Sequence, residues 1–223
     1  MPTVPAGLWP FGHQAAIFDF DGTLASSSFV RNEVDHPVLE RRGHAWTPDL
    51  AQHLAALGFA EGALYVIDRY GLDEDPQDIC DEWNALANDI YATEVDLRPG
   101  AREYLDALRA SGIPLALATT NDHDVLASMA PRVDVYKLFD VVVCGTDVTK
   151  TKRHPDIYLE AARRLGVSPS GCIVFEDIVD GLNSARRAGM VTCAVASGDV
   201  TQDPDAVRRV ADVFLSDWTD LAL

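Results

Sequence analysis

Asp19 and Asp21 close a short apolar run, Ala15–Phe20, and are followed at once by Gly22, Thr23 and Leu24. In an extended strand, residues two apart point the same way, so both carboxylates would face one side of the strand end if the strand continued. Two acids so close repel each other and are costly to bury without a cation. Asp-x-Asp also occurs in plain loops and at helix N-caps; a strand before it and a turning glycine after it argue for a site instead. A second acidic pair, Glu176-Asp177, closes the apolar run Cys172–Phe175. A hard divalent cation such as Mg²⁺ takes one or two carboxylates together with water and phosphate oxygens. Asp19 and Asp177, with Glu176 as a further candidate, would supply them from two strand ends. Asp180 lies where the next helix starts, and N-capping is a sufficient role for it.

Two further polar clusters have the same placement. Thr119, Thr120 and Asn121 follow the run Pro114–Thr119, where a hydroxyl and successive backbone N–H groups can cradle a phosphate. The same residues are ordinary capping chemistry, so the cluster gains weight only beside the others. The segment Thr149-Lys150-Thr151-Lys152-Arg153-His154-Pro155-Asp156 carries the basic groups. A lysine here would offset the repulsion between the acids and an incoming phosphate, and a solvated basic loop would read the same way.

These clusters sit on an alternation of short β-rich runs and amphipathic helices. The runs Ala15–Phe20, Pro114–Thr119, Val141–Cys144, Cys172–Phe175, Val191–Val195 and Val213–Leu215 read as strands buried on both faces. Helices are expected over Ala101–Ala110, Pro155–Leu165 and Asp180–Ala188. The rhythm predicts an α/β fold, a doubly wound, Rossmann-like parallel sheet, whose ligands bind beyond the carboxyl ends of the strands. Between the first and second strands lies an interval too long for one crossover helix. It reads as helices near Asn32–Arg42, Pro48–Leu57, Ala60–Tyr70 and Asp75–Thr93. We therefore expect a core of residues 1–28 and 98–223 with an all-helical cap inserted over 29–97.

The chain has 223 residues and a formal net charge of -17, which disfavours nucleic acid and anionic membrane surfaces as partners. Cys80, Cys144, Cys172 and Cys193 show no paired spacing and read as buried, reduced thiols. The first residues lack the basic and apolar regions of a signal peptide, and no apolar run approaches ~20 residues, so a cytoplasmic location is expected. No pattern speaks to oligomeric state.

Taken in order, the four clusters resemble the haloacid dehalogenase superfamily, in its branch with a helical cap after the first strand. The Asp19–Leu24 motif is the most specific of them, and the resemblance runs over essentially the whole chain. It implies a Mg²⁺-dependent phosphatase acting on a small-molecule phosphate ester. Asp19 would be the nucleophile, forming an aspartyl-phosphate, and Asp21 the acid for the leaving group and then the base for water. Thr119 would bind the phosphoryl oxygens, with Gly22, Thr120 and Asn121 around them. Lys152 would bridge phosphate and nucleophile; Asp19, the Asp21 carbonyl, Glu176 and Asp177 would hold the metal. The branch usually carries Lys-Pro-x-Pro-Asp, where this chain has Lys152-Arg153-His154-Pro155-Asp156. Counting back from Pro155-Asp156 selects Lys152 over Lys150.

A sugar phosphomutase of the β-phosphoglucomutase type is the alternative, since it shares these core motifs and differs in the cap. A carbon-attacking dehalogenase has no use for Asp21 or for Glu176-Asp177. A binding module without catalysis would carry these acids as an electrostatic cost. Arg31 and Asn32 follow the catalytic loop closely and are either substrate contacts or solvated helix residues. His53, Trp46, Trp83 and Tyr91 could face a ligand, although aromatic residues at helical spacing more often build core.

Overall fold

The computed structural model describes residues 7–9, 11–54, 57, 59–150, 152–199 and 202–221, the side chains of 31, 32 and 52 excepted. Among these residues six strands form one parallel sheet: β1 (Ala15–Phe18), β2 (Leu115–Ala118), β3 (Val141–Val143), β4 (Cys172–Glu176), β5 (Val191–Val195) and β6 (Val213–Leu215). Their order across the sheet is β3-β2-β1-β4-β5-β6. The chain first winds outward from β1 through β2 to β3, then returns to β4 on the other side and winds away through β5 to β6. The direction reverses between β1 and β4, which is where an open α/β sheet leaves a crevice at its carboxyl edge. Ile17 pairs with Ala116 on one side and with Val174 on the other, so β1 is a central strand.

Alternation along the strands divides the core in two. Phe18, Leu117 and Phe175 face one side, where Phe18 and Phe175 stack at 4.6 Å against Tyr104 and Trp218. Ile17, Ala116 and Val174 face the other and pack on Ile157, Tyr158 and Ala161. Small residues on that second face let the helix over Asp156–Leu165 lie close to the sheet.

Between β1 and the next core helix come α1 (Val30–Glu40), α2 (Pro48–Leu54), α3 (Phe59–Tyr70) and α4 (Pro76–Thr93). Helix α4 starts on Asp75, whose side chain accepts from Gln77 N at 2.9 Å, with Pro76 in its first turn. The exit from the sheet and the return to it run side by side: Ser26 N donates to Asp96 O at 2.9 Å and Arg98 N to Leu24 O at 2.8 Å. After the return follow α5 (Ala101–Ala110), α6 (His123–Ser128), α7 (Val135–Leu138), α8 (Asp156–Leu165), α9 (Val179–Arg187) and α10 (Pro204–Val210).

The expected strands are all present, with ends moved by a residue or two. β1 stops at Phe18 because the chain turns after Asp19, and β4 runs one residue further than expected, to Glu176. Helices α6, α7 and α10 were not expected from the sequence. Residues 55, 56 and 58, at the expected end of the second inserted helix, lie outside the described residues. Among the described residues all four cysteines are free and buried, and no helix is long and apolar enough to cross a membrane.

Candidate active site

The carboxyl ends of β1, β2 and β4 deliver the polar clusters to one cavity of about 490 Å³, roofed by the inserted helices. Asp19 continues the β1 ladder by one hydrogen bond, its N–H reaching Phe175 O at 2.9 Å. The chain then turns back so tightly that Leu24 N and Ala25 N both donate to Phe20 O, at 2.9 and 2.8 Å. Gly22 makes the turn possible. Its φ is +74°, and a Cβ there would lie 3.0 Å from Asp177 Cγ and 3.2 Å from Ser197 Cβ. Distant residues satisfy the carbonyls of the turn: Arg98 Nη1 donates to Gly22 O at 2.8 Å and Trp218 Nε1 to Thr23 O at 2.9 Å.

Lys152, only 2 % exposed, is the cation of the site, while Lys150 is exposed. Its ammonium donates to Asp19 Oδ1 and to Glu176 Oε1, the latter at 2.6 Å. Glu176 is completely buried, and both of its oxygens are engaged. Oε1 accepts from Lys152 and from Tyr158 Oη at 3.0 Å, while Oε2 accepts from the backbone N–H groups of Asp177 and Ile178 at 2.7 and 2.9 Å. The chain's own donors thus already occupy a residue that the sequence assigns to metal binding. Asp177 lies in the cavity wall against Gly22.

Three buried carboxylates, those of Asp19, Glu176 and Asp177, share one buried ammonium and offer oxygens within 4.8 Å of one another. The titration directions express that shortage of positive charge. Burial, then repulsion from Glu176, pushes Asp19 up to about 7 in spite of Lys152. Burial, Glu176 and Asp19 hold Asp177 well above the carboxylate range. Burial acts to lower Lys152, but Asp19 and Glu176 override it and raise the ammonium above its ordinary value. Oxygen donors that repel one another in a dry site fit a hard divalent cation.

Asp21 also lines the cavity. Asn121 Nδ2 donates to its Oδ2 at 2.7 Å, and the Tyr91 hydroxyl donates to its Oδ1. Thr120 and Asn121 line the cavity. Thr119 is fully buried beneath them, and its hydroxyl accepts from Asn121 N at 3.1 Å, so it shapes the turn that presents its two neighbours. The side chain of Arg31 lies outside the described residues. Asp180 is not an N-cap: Ile178 holds that position, and Asp180 instead accepts from Arg153 Nε at 3.3 Å. Arg153, which stands where the related motif has proline, also reaches the His53 ring of α2 at 3.3 Å. Tyr91, which the sequence offered as a residue that could face a ligand, does line the cavity, whereas Tyr158 and Arg98 had no place in the sequence-derived site.

A parallel sheet of this order, with a buried aspartate–lysine pair at its switch point, places a charged site where open α/β sheets bind their ligands. Residues 16–195 match the haloacid dehalogenase-like hydrolase family, and the chain belongs to it. It is 32% identical to Protein CbbY of Rhodobacter capsulatus, over 92% of this chain and 91% of that one. It is 30% identical to the phosphorylated carbohydrates phosphatase of Thermotoga maritima, over 79% of this chain and 82% of that one. The crystal structure of CbbY from Rhodobacter sphaeroides in complex with phosphate superposes with a TM-score of 0.83 at 25% identity, covering 95% of this chain and 97% of that one.

Proposed function

We propose that this protein is a cytoplasmic, Mg²⁺-dependent phosphatase that hydrolyses a small phosphorylated metabolite through an aspartyl-phosphate on Asp19, with helices α1–α4 serving as a cap. The observation that carries the reading is the buried Lys152 held between Asp19 and Glu176 beside Asp177. The phosphorylated carbohydrates phosphatase relative, and the phosphate in the CbbY structure, support a phosphate ester as substrate.

Asp19 attacks phosphorus, a bond forms from its carboxylate oxygen, and the bond from phosphorus to the leaving alcohol breaks. Asp21 gives that departing oxygen its proton, then takes a proton from the water that attacks the phosphoryl-aspartate, regenerating Asp19 and releasing inorganic phosphate. Lys152 orients Asp19 and attracts the phosphoryl oxygens. Glu176 keeps Lys152 in place and charged, which is a positioning role. The Asp19 and Asp177 carboxylates and the Asp21 carbonyl would hold Mg²⁺, which supplies neutralisation of the charge on the transferring group. Phosphoryl transfer needs such positioning more than elaborate covalent chemistry, and the cap would exclude bulk water.

The test is phosphate release from a panel of small phosphate esters, with and without Mg²⁺, by the native protein and by Asp19→Asn. Metal-dependent release that the substitution abolishes is expected. Full activity in Asp19→Asn, once deamidation is excluded by mass spectrometry, would remove Asp19 from the mechanism. Isomerisation of a sugar phosphate without net release would make the protein a phosphomutase instead.

A further inference from the structure

Tyr91 stands in the last turn of α4, 3% exposed, with its hydroxyl on Asp21 Oδ1. Asn121 Nδ2 donates to the other Asp21 oxygen at 2.7 Å and reaches the Tyr91 oxygen at 3.2 Å. Three separate segments of the chain therefore close a triangle around one carboxylate. A carboxylate held at one oxygen turns easily, because the torsion about its last bond is broad. Held at both oxygens by donors from two directions, it has a fixed plane. The ring of Tyr91 is itself supported: it lies over Phe20 with ring centroids 6.4 Å apart and 25° between planes. The end of α4 is tied to the core by Arg132 Nη1, which donates to Thr93 O at 2.6 Å.

We infer that Tyr91 is a positioning residue for Asp21, fixing its carboxyl plane so that one oxygen meets the oxygen of the departing alcohol. Because Tyr91 comes from the inserted helices, the alignment also depends on where those helices sit. The inference rests on Asp21 acting as the acid for the leaving group, as proposed above. Its signature follows from that chemistry. An alkyl phosphate expels a strongly basic alkoxide and needs the proton; p-nitrophenyl phosphate expels a stabilised phenolate and does not. The ratio kcat/KM reports only steps up to departure of the alcohol, so it separates that proton transfer from the later activation of water.

Tyr91→Phe keeps the ring and removes one oxygen. We expect kcat/KM for an alkyl phosphate such as glycerol phosphate to fall ~10–100-fold, a part of what general acid catalysis contributes, and that for p-nitrophenyl phosphate to fall less than ~3-fold. Asp21→Asn should show the same selectivity with a larger loss. Tyr91→Leu, which also removes the hydroxyl, must show the same sign if Tyr91→Phe fails to fold, as judged by circular dichroism. Equal loss on both esters in the Tyr91 variants, or no loss on either, overturns the positioning role. Equal loss on both esters in Asp21→Asn overturns the acid role and this inference with it. Inactivity of the native protein on every ester overturns the phosphatase reading itself.

Discussion

Gly181→Ala tests the packing that holds Lys152 in place, because helix propensity and packing give it opposite signs. Gly181 sits inside α9 with a φ outside the left-handed region, so on propensity alone alanine would stabilise that helix by about 1 kcal/mol. An added Cβ, however, would stand 2.5 Å from Glu176 Cδ and 2.9 Å from Glu176 Cγ. Glu176 cannot retreat, because it is completely buried and four donors hold its two oxygens. Either α9 lifts from the sheet, an overpacking cost of ~1–3 kcal/mol, or the carboxylate leaves charge-assisted hydrogen bonds worth ~1.5–3 kcal/mol each. Packing outweighs propensity, and a net destabilisation of about 2 kcal/mol is expected, or roughly 4–8 °C in Tm for a chain of this size. Urea unfolding followed by circular dichroism reads the stability, and phosphate release reads the displaced lysine. Gly62→Ala in α3 is the control: the nearest atom to its Cβ would be Trp83 Cζ3 at 3.4 Å, an ordinary contact, so that variant should be neutral or up to ~1 kcal/mol more stable. Gly181→Ala at or above native stability would mean that Glu176 is not held as described.

Lys152→Met leaves the Asp19, Glu176 and Asp177 carboxylates without their cation, and a loss of ~3–5 kcal/mol in Mg²⁺-free urea melts is expected; a loss under ~1 kcal/mol would contradict the pairing. In the native protein, Mg²⁺ at roughly a hundred times its Kd should add ~2.7 kcal/mol of stability by binding the folded state, and Asp177→Asn should lose most of that gain in a thermal shift assay. An undiminished shift in the variant would take Asp177 out of the metal site. Arg98→Met removes the donors to Gly22 O at 2.8 Å and to Ala196 O at 2.6 Å, and leaving those carbonyls short of a partner should cost ~1–3 kcal/mol in urea melts. An unchanged midpoint would show that the turn after Asp19 holds itself.

What could be read in the sequence was what local chemistry dictates. Asp19, Asp21 and Gly22 announce themselves because a strand end, a repelling pair and a turn are properties of neighbouring residues. Six strands were legible from apolar runs alone, whereas α6, α7 and α10, of 6, 4 and 7 residues, are too short to show a helical period. The second layer of the site is non-local and was not legible. Tyr91 illustrates the limit: Trp83, Ala87 and Tyr91 recur every fourth residue of α4, which places them on its buried side. A buried tyrosine hydroxyl needs a partner, and that requirement was the available signal; nothing in the sequence said that the partner lies at Asp21. Asp180 erred for a related reason. Its position suits an N-cap, but α9 already starts at Val179 with Ile178 at its N-cap, so Asp180 lies inside the first turn and pairs with Arg153 instead. One buried glutamate fixes the lysine, the turn into α9 and the place of Gly181, so its position can be tested from the glycine, a residue that carries no chemistry of its own.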